Sequence, residues 1–122
     1  MLALPVPVKA VDYLMKSGDK SLKKYAVEES HQYYKEAYNL LLEKQDKTKE
    51  DEILIIDLLL KWAYVLYYRG DFKGLTDVLS AHADMAESLD DKAMVGMFYA
   101  WMGLMLWERE KSTHILLGGQ GQ

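Results

Sequence analysis

The sequence predicts an all-α fold, because it lacks helix breakers, repeats apolar residues at helical spacing and contains two similar segments forty residues apart. Its two prolines, Pro5 and Pro7, both precede the first periodic segment, so the chain from residue 8 onward is free of the strongest helix breaker. Hydrophobic residues make up 50% and charged residues 28% of the 122 positions, as in a globular domain. We therefore expect one packed helical domain.

Three segments with helical periodicity precede the polar connector at residues 45–49. Residues 9–16 form a short amphipathic segment, and the turn residues Ser17, Gly18 and Asp19 predict its end. Residues 20–30 and 31–44 follow, each with apolar side chains three or four positions apart, which is the spacing of one helix face. We expect one helix in each segment.

A longer and more apolar helix is predicted to begin after Thr48. The Thr48 hydroxyl suits an N-cap, and the acids at positions 50–52 suit the positive end of the helix dipole. Apolar residues then occur on all sides of the predicted helix, which indicates that neighbouring helices cover most of it. Gly70 and Asp71 predict its end near residue 69.

Two further helices are predicted after this turn. One spans residues 72–88, and the other begins after Asp90 and Asp91 as capping residues and runs to about residue 110. The chain ends in a glycine-rich stretch that has no apolar face to bury. We expect a helical domain over residues 1–111 and a flexible tail over residues 112–122.

Two of the predicted helices have similar sequences forty residues apart. Residues 63–69 align with residues 103–109, in each case with a small residue, a large apolar residue three positions later and an arginine three positions after that. Helix pairs that recur at intervals of about 34–47 residues are typical of α-solenoids. The segments Trp62-Ala63, Leu66 and Gly70-Asp71-Phe72 resemble the tetratricopeptide repeat. This resemblance implies antiparallel helix pairs stacked as a short tetratricopeptide-like α-solenoid of about five to six helices.

A second resemblance lies near the start of the chain. The pattern Val11-Asp12-Tyr13-Leu14-x-x-Ser17-Gly18-Asp19 precedes Tyr25-Ala26-x-x-Glu29-Ser30-x-x-Tyr33-Tyr34-x-x-Ala37. A similar stretch opens the helical repeats of large bacterial signalling proteins, the adenylate-cyclase-like proteins and related signal-transduction ATPases, after their ATPase domain. The resemblance covers roughly residues 10–110, and it implies a repeat region of such a cytoplasmic multidomain protein.

Several kinds of catalytic and metal chemistry lack their residues in this sequence. There is no cysteine, which excludes disulfides, thiolate metal sites and cysteine nucleophiles. His31, His82 and His114 lie on separate predicted segments and form no H-x-x-x-H pair, and no phosphate-binding glycine loop occurs. We therefore expect no enzyme activity, no cofactor and no metal.

Charge and hydropathy also limit the classes of partner. The net charge is −4, and no segment has the basic density that nucleic-acid binding requires. The longest uncharged run, residues 93–107, is shorter than the stretch of about 18 apolar residues that spans a membrane. We expect neither a nucleic-acid nor a membrane partner.

Aromatic and apolar side chains on the two related helices form the candidate partner-binding surface. The partner-facing positions of tetratricopeptide repeats map onto Asp57, Leu60, Tyr64, Tyr67, Tyr68, Met97, Ala100, Leu104 and Trp107. Tyrosine and tryptophan suit recognition of a peptide or helix, since they supply a large contact area at low entropy cost. The alternative is that the tyrosines only pack against the following helices.

These features predict a non-catalytic module for protein–protein interaction or regulation, whose partner is a protein or peptide. A small-ligand sensor and a structural spacer within the same parent protein are the alternatives. Because a short solenoid leaves an apolar end uncovered, we also expect self-association. The residues predicted to be buried by it are Met94, Met97, Phe98, Trp101 or Met105.

Overall fold

A computed structural model of the chain describes the backbone of residues 8–120 and the side chains of residues 9–111. This part of the chain contains six helices: α1 Val8–Lys23, α2 Val27–Glu43, α3 Lys49–Tyr68, α4 Phe72–Ala81, α5 Ala83–Glu87 and α6 Lys92–Gln120. The predicted all-α class is confirmed for these residues.

The helix α3 lies at the centre of the packing. It contacts α1, α2, α4, α5 and α6, whereas α1 and α2 pack as a neighbouring pair on one side of it. Its all-round apolar sequence correctly predicts this position. Nine of its residues are buried: Ile55, Ile56, Leu58, Leu59, Leu60, Trp62, Ala63, Val65 and Leu66.

Thr48 caps α3 as the sequence predicts. The Thr48 hydroxyl accepts a hydrogen bond from the Asp51 amide at 3.2 Å, and the Asp51 carboxylate accepts one from the Thr48 amide at 2.8 Å. This reciprocal pair is a capping box, which satisfies two amides that no turn of the helix reaches. Lys44 adds an ion pair to Asp51 at 2.7 Å, so the end of α2 is tied to the start of α3.

The helix α1 continues through Ser17, Gly18 and Asp19, where the sequence predicted a turn. A Cβ atom at position 18 would lie 2.5 Å from a ring carbon of Tyr34, so glycine here permits close packing of α1 against α2. The Ser30 hydroxyl also donates to the Gly18 carbonyl oxygen at 2.9 Å. The predicted break between the first two helical segments is therefore wrong.

Two helix ends share one turn geometry. Tyr25 after α1 and Gly70 after α3 have φ of 59° and 74°. At each, the amide of the left-handed residue bonds the carbonyl three positions earlier, and the next amide bonds the carbonyl five positions earlier. This is the Schellman motif. The sequence predicted the turn at Gly70, but it missed the turn at residues 24–26 because tyrosine rarely adopts positive φ.

The segment predicted as one helix over residues 72–88 is divided at His82. The Nδ1 atom of His82 donates to the Val78 carbonyl at 3.0 Å, and the backbone amide of His82 bonds the Leu79 carbonyl instead. The imidazole thus occupies the acceptor that the next α-helical amide would use, and α4 ends there. Asp71 caps α4 as predicted, through a hydrogen bond from the Gly74 amide at 2.9 Å.

The last helix begins as predicted but extends further. The Asp91 carboxylate accepts the Met94 amide at 3.1 Å, which confirms the predicted cap. The helix α6 continues to Gln120 rather than ending near residue 110, since no proline interrupts it. Side chains of residues 112–122 lie outside the described residues, and the predicted flexibility of that tail and the boundary at residue 111 remain predictions.

Candidate binding groove

An apolar groove of about 590 Å³ lies between α1, α3 and the first turns of α6. Its walls come from leucine, methionine and tyrosine side chains, and charged groups lie at one end. The lining residues are Asp19, Leu22, Lys23, Tyr34, Asp57, Leu60, Lys61, Tyr64, Asp91, Ala93, Met94 and Met97. A cleft of this size, mostly apolar with a few charged groups, is typical of a binding site.

The charged end of the groove is a connected network. Asp19 on α1 accepts a hydrogen bond from the Tyr34 hydroxyl at 2.5 Å and one from the Lys61 ammonium at 3.1 Å. The same ammonium lies 3.6 Å from the Asp57 carboxylate, one turn earlier on α3. The network ties α1, α2 and α3 together at the floor of the groove.

The surroundings of this network favour its present protonation states. Burial raises the pKa of the Tyr34 hydroxyl, and the hydrogen bond to Asp19 raises it further. Burial alone would lower the pKa of Lys61, but its hydrogen bond to Asp19 and the charge of Asp57 outweigh that effect and raise it. At neutral pH the tyrosine is therefore neutral and the lysine charged, which makes this end a fixed polar platform.

A second, shallower groove of about 220 Å³ adjoins the first, with which it shares Tyr64 and Met97. The other lining residues are Ala100, Trp101 and Leu104 of α6. The rings of Tyr64 and Trp101 meet edge to face, with centroids 5.0 Å apart and an interplanar angle of 88°. This geometry is favourable for aromatic pairs and holds the Tyr64 ring at the junction of the two grooves.

The structure brings together most, but not all, of the residues predicted to form the partner surface. Asp57, Leu60, Tyr64 and Met97 line the first groove, and Leu104 lines the second. Tyr64 and Met97 are about half exposed, whereas Leu60 is buried at the groove floor.

Three predicted surface residues lie outside the grooves. Tyr67 packs against Phe72 and Trp101, with ring centroids 5.3 Å and 5.9 Å away, so the alternative of packing against later helices holds for it. Tyr68 and Trp107 are exposed, but neither lines the two grooves. The stripe of tyrosines is thus divided between groove, core and free surface.

The sequence missed the contribution of α1 to the groove. Asp19 and Leu22 line it only because α1 continues past Gly18, where a turn was predicted. Tyr34 reaches the groove floor because Gly18 leaves room for its ring. The only sequence signal was the glycine itself, which reads equally well as a turn or as a packing site.

A second polar cluster lies on the other side of α3. The Trp62 Nε1 atom donates to His31 Nδ1 at 3.0 Å, while Arg69 Nη1 lies 3.2 Å from His31 Nε2. Arg69 also donates to the Glu28 carboxylate at 2.9 Å. Both ring nitrogens of His31 therefore face donor groups, so an added proton would lose the bond from Trp62 and place a second positive charge beside Arg69.

This arrangement predicts a pH-dependent stability. Burial first and the Arg69 charge second lower the pKa of His31 from 6.5, although Glu28 partly opposes them. The unfolded chain therefore takes up the His31 proton first, and stability that is complete above about pH 6.5 is lost as the pH falls towards the lower folded pKa. We expect urea unfolding followed by circular dichroism to give a smaller unfolding free energy at about pH 5.5 than at about pH 7.5.

A matched variant separates His31 from other titrating groups. His31→Asn keeps an acceptor for the Trp62 indole but has no proton to gain in this range, so its unfolding free energy changes less between the two pH values. The carboxylates of Glu28 and Asp51, whose pKa values are lowered by Arg69 and Lys44 respectively, titrate at more acidic pH. An identical pH dependence in both proteins would contradict this role of His31.

Within the described residues, no group of three or more histidine, aspartate or glutamate side chains is placed to hold a metal ion. Nor does any described helix combine the length and apolarity that a membrane span requires. Comparison with protein families, curated proteins and solved structures finds no match to this chain. The geometry of the two adjoining grooves is therefore the main guide to function.

Proposed function

We propose that the chain is a non-catalytic, tetratricopeptide-like interaction module that binds a peptide segment of a partner protein along the two grooves. The continuity of these grooves through Tyr64 and Met97 carries the proposal. Ten residues of α6, from Met94 to Leu104, border them, which corresponds to a length of about 15 Å. A trough of this length suits several consecutive side chains of a peptide better than one compact ligand.

The packing of small residues supports the repeat arrangement. Gly18 on α1 and Ala63 on α3 are both buried, and a Cβ at position 18 would meet α2. Gly103 takes the same place on α6 in the forty-residue alignment. The matching Schellman turns after α1 and α3 also fit two successive helix pairs. In this arrangement α1, α3 and α6 are the first helices of their repeats, and the grooves lie along them.

The resemblance of residues 11–37 to bacterial signalling proteins supports the wider context. We place the module in the repeat region of a cytoplasmic adenylate-cyclase-like or related signal-transduction ATPase. The Asp19 and Asp57 carboxylates in the groove are engaged by Lys61, and Asp19 also accepts the Tyr34 hydroxyl. Groups held in this way suit the anchoring of a ligand rather than acid–base chemistry.

The test is a selection of random displayed peptides of about twelve residues on the purified chain. We expect enriched peptides with several apolar side chains, because most of the groove wall is apolar. Tyr64→Ala removes the aromatic group at the junction of the grooves, so it should weaken binding of a selected peptide by about thirtyfold. Isothermal titration calorimetry measures this change.

The control is Tyr13→Ala, which removes an exposed tyrosine of α1 that lines neither groove. It should leave peptide affinity unchanged, and circular dichroism should show the same helicity for both variants. Equal affinities for Tyr64→Ala and the parent protein, or a selection that enriches no peptide, would overturn the proposal. Binding of small compounds without peptides would favour a ligand sensor instead.

A further inference from the structure

The outward face of α6 is apolar and has no partner among the described helices. Residues 93–107 contain no charged side chain. On a helix with 3.6 residues per turn, five exposed positions fall within an arc of about 80°. They are Ala93, Gly96, Ala100, Gly103 and Trp107. Phe98 and Met105 point the other way and are buried in the core.

This face is uncovered where the equivalent parts of α1 and α3 are covered. A Cβ at Gly18 would meet the ring of Tyr34 at 2.5 Å, whereas nothing lies within 4 Å of a Cβ at Gly96 or Gly103. Trp107 is 54% exposed, although burial of an indole ring is among the larger apolar gains that a side chain offers. The face is thus shaped for close approach of another helix, with one large side chain to bury.

We propose that a second copy of the chain covers this face, with the two α6 helices antiparallel and the two-fold axis at Ala100. Positions whose numbers add to about 200 then lie at the same level. Trp107 packs over the partner's Ala93, and Gly96 lies opposite the partner's Gly103. Met97 lies beside the partner's Leu104. The interface is isologous, so each contact occurs twice.

The charges at the two ends of α6 select this orientation. Lys111 follows Ala100 by eleven residues, and Asp90 precedes it by ten, so the antiparallel pair places the ammonium beside the partner's Asp90. The Lys111 ammonium already lies 5.0 Å from the centre of the Trp107 ring, on the open face. Lys92 similarly lies at the level of the partner's Glu110. A parallel pair would instead set Lys92 against Lys92 and Lys111 against Lys111.

The proposed dimer also corrects the residues expected to mediate self-association. Phe98 and Met105 are 0% and 4% exposed, so they stabilise the single chain and have little surface to give to a partner. Met94 and Trp101 are partly buried and line the grooves. Of the residues expected from sequence, Met97 alone contributes to this face.

Disulfide trapping tests the geometry, because the chain has no cysteine of its own. In Ala100→Cys the two sulfurs meet at the two-fold axis, and mild oxidation should join the chains within minutes. Ala81→Cys, at an exposed alanine near the end of α4, is the control and should remain largely uncoupled. Equal coupling of the two variants would overturn the proposal.

Sedimentation velocity tests the stability of the pair. The parent chain should be a dimer at micromolar concentration, and Ala100→Glu should raise the dissociation constant by about a hundredfold because it places two carboxylates together. Lys111→Glu should raise it by about tenfold, and the added substitution Asp90→Lys should restore it. A parent chain that stays monomeric at about 100 μM, or a double variant no tighter than Lys111→Glu, would overturn the antiparallel pair.

Discussion

Replacing Phe98 with alanine should lower the free energy of unfolding by about 3–5 kcal/mol. The Phe98 side chain is fully buried on the inner face of α6, among residues of the single hydrophobic core. Its removal would leave a cavity that the surrounding helices fill only in part. Urea unfolding followed by circular dichroism measures the loss, and the midpoint should fall without a change in slope.

Tyr99→Ala is the matched control for Phe98→Ala. Tyr99 is the adjacent aromatic residue, but it is 40% exposed and its hydroxyl bonds the exposed Glu87 carboxylate. Its removal should therefore cost no more than about 1 kcal/mol. A Phe98→Ala protein that unfolds like the parent but no longer self-associates would show that Phe98 belongs to an interface, as the sequence predicted.

Replacing Gly18 with alanine should destabilise the chain by about 1–3 kcal/mol, although alanine is the better helix former. The new methyl group would lie 2.5 Å and 2.7 Å from two ring carbons of Tyr34. The Tyr34 ring is fully buried and its hydroxyl is held by Asp19, so it has little room to move. The clash must separate α1 from α2 and disturb the groove floor.

Gly96→Ala gives the opposite sign for the same chemical change. Gly96 lies in the interior of α6, and an added Cβ meets nothing within 4 Å. Helix propensity alone then acts, and the unfolding free energy should rise by up to about 1 kcal/mol. Both variants are to be measured at a concentration low enough to keep the chain monomeric. Equal effects of the two substitutions would contradict the close contact at Gly18.

The sequence by itself determined the helical class, the central position of α3 and the caps at Thr48, Asp71 and Asp91. These features depend on local physics: apolar periodicity selects a helix, and a side-chain oxygen at the right place satisfies amides at the helix start. The turn at Gly70 is local too, since glycine adopts positive φ without steric cost.

Only the tertiary structure decided how α1 continues and which residues line the groove. At Gly18 a turn and a close helix contact are equally compatible with the sequence, and the distant Tyr34 ring selects between them. Tyr25 adopts positive φ at the turn that follows, against its intrinsic preference, where α1 and α2 meet. The His82 break likewise depends on the turn of its imidazole towards the Val78 carbonyl. Such choices depend on side chains meeting across helices, a free-energy difference that no local pattern contains.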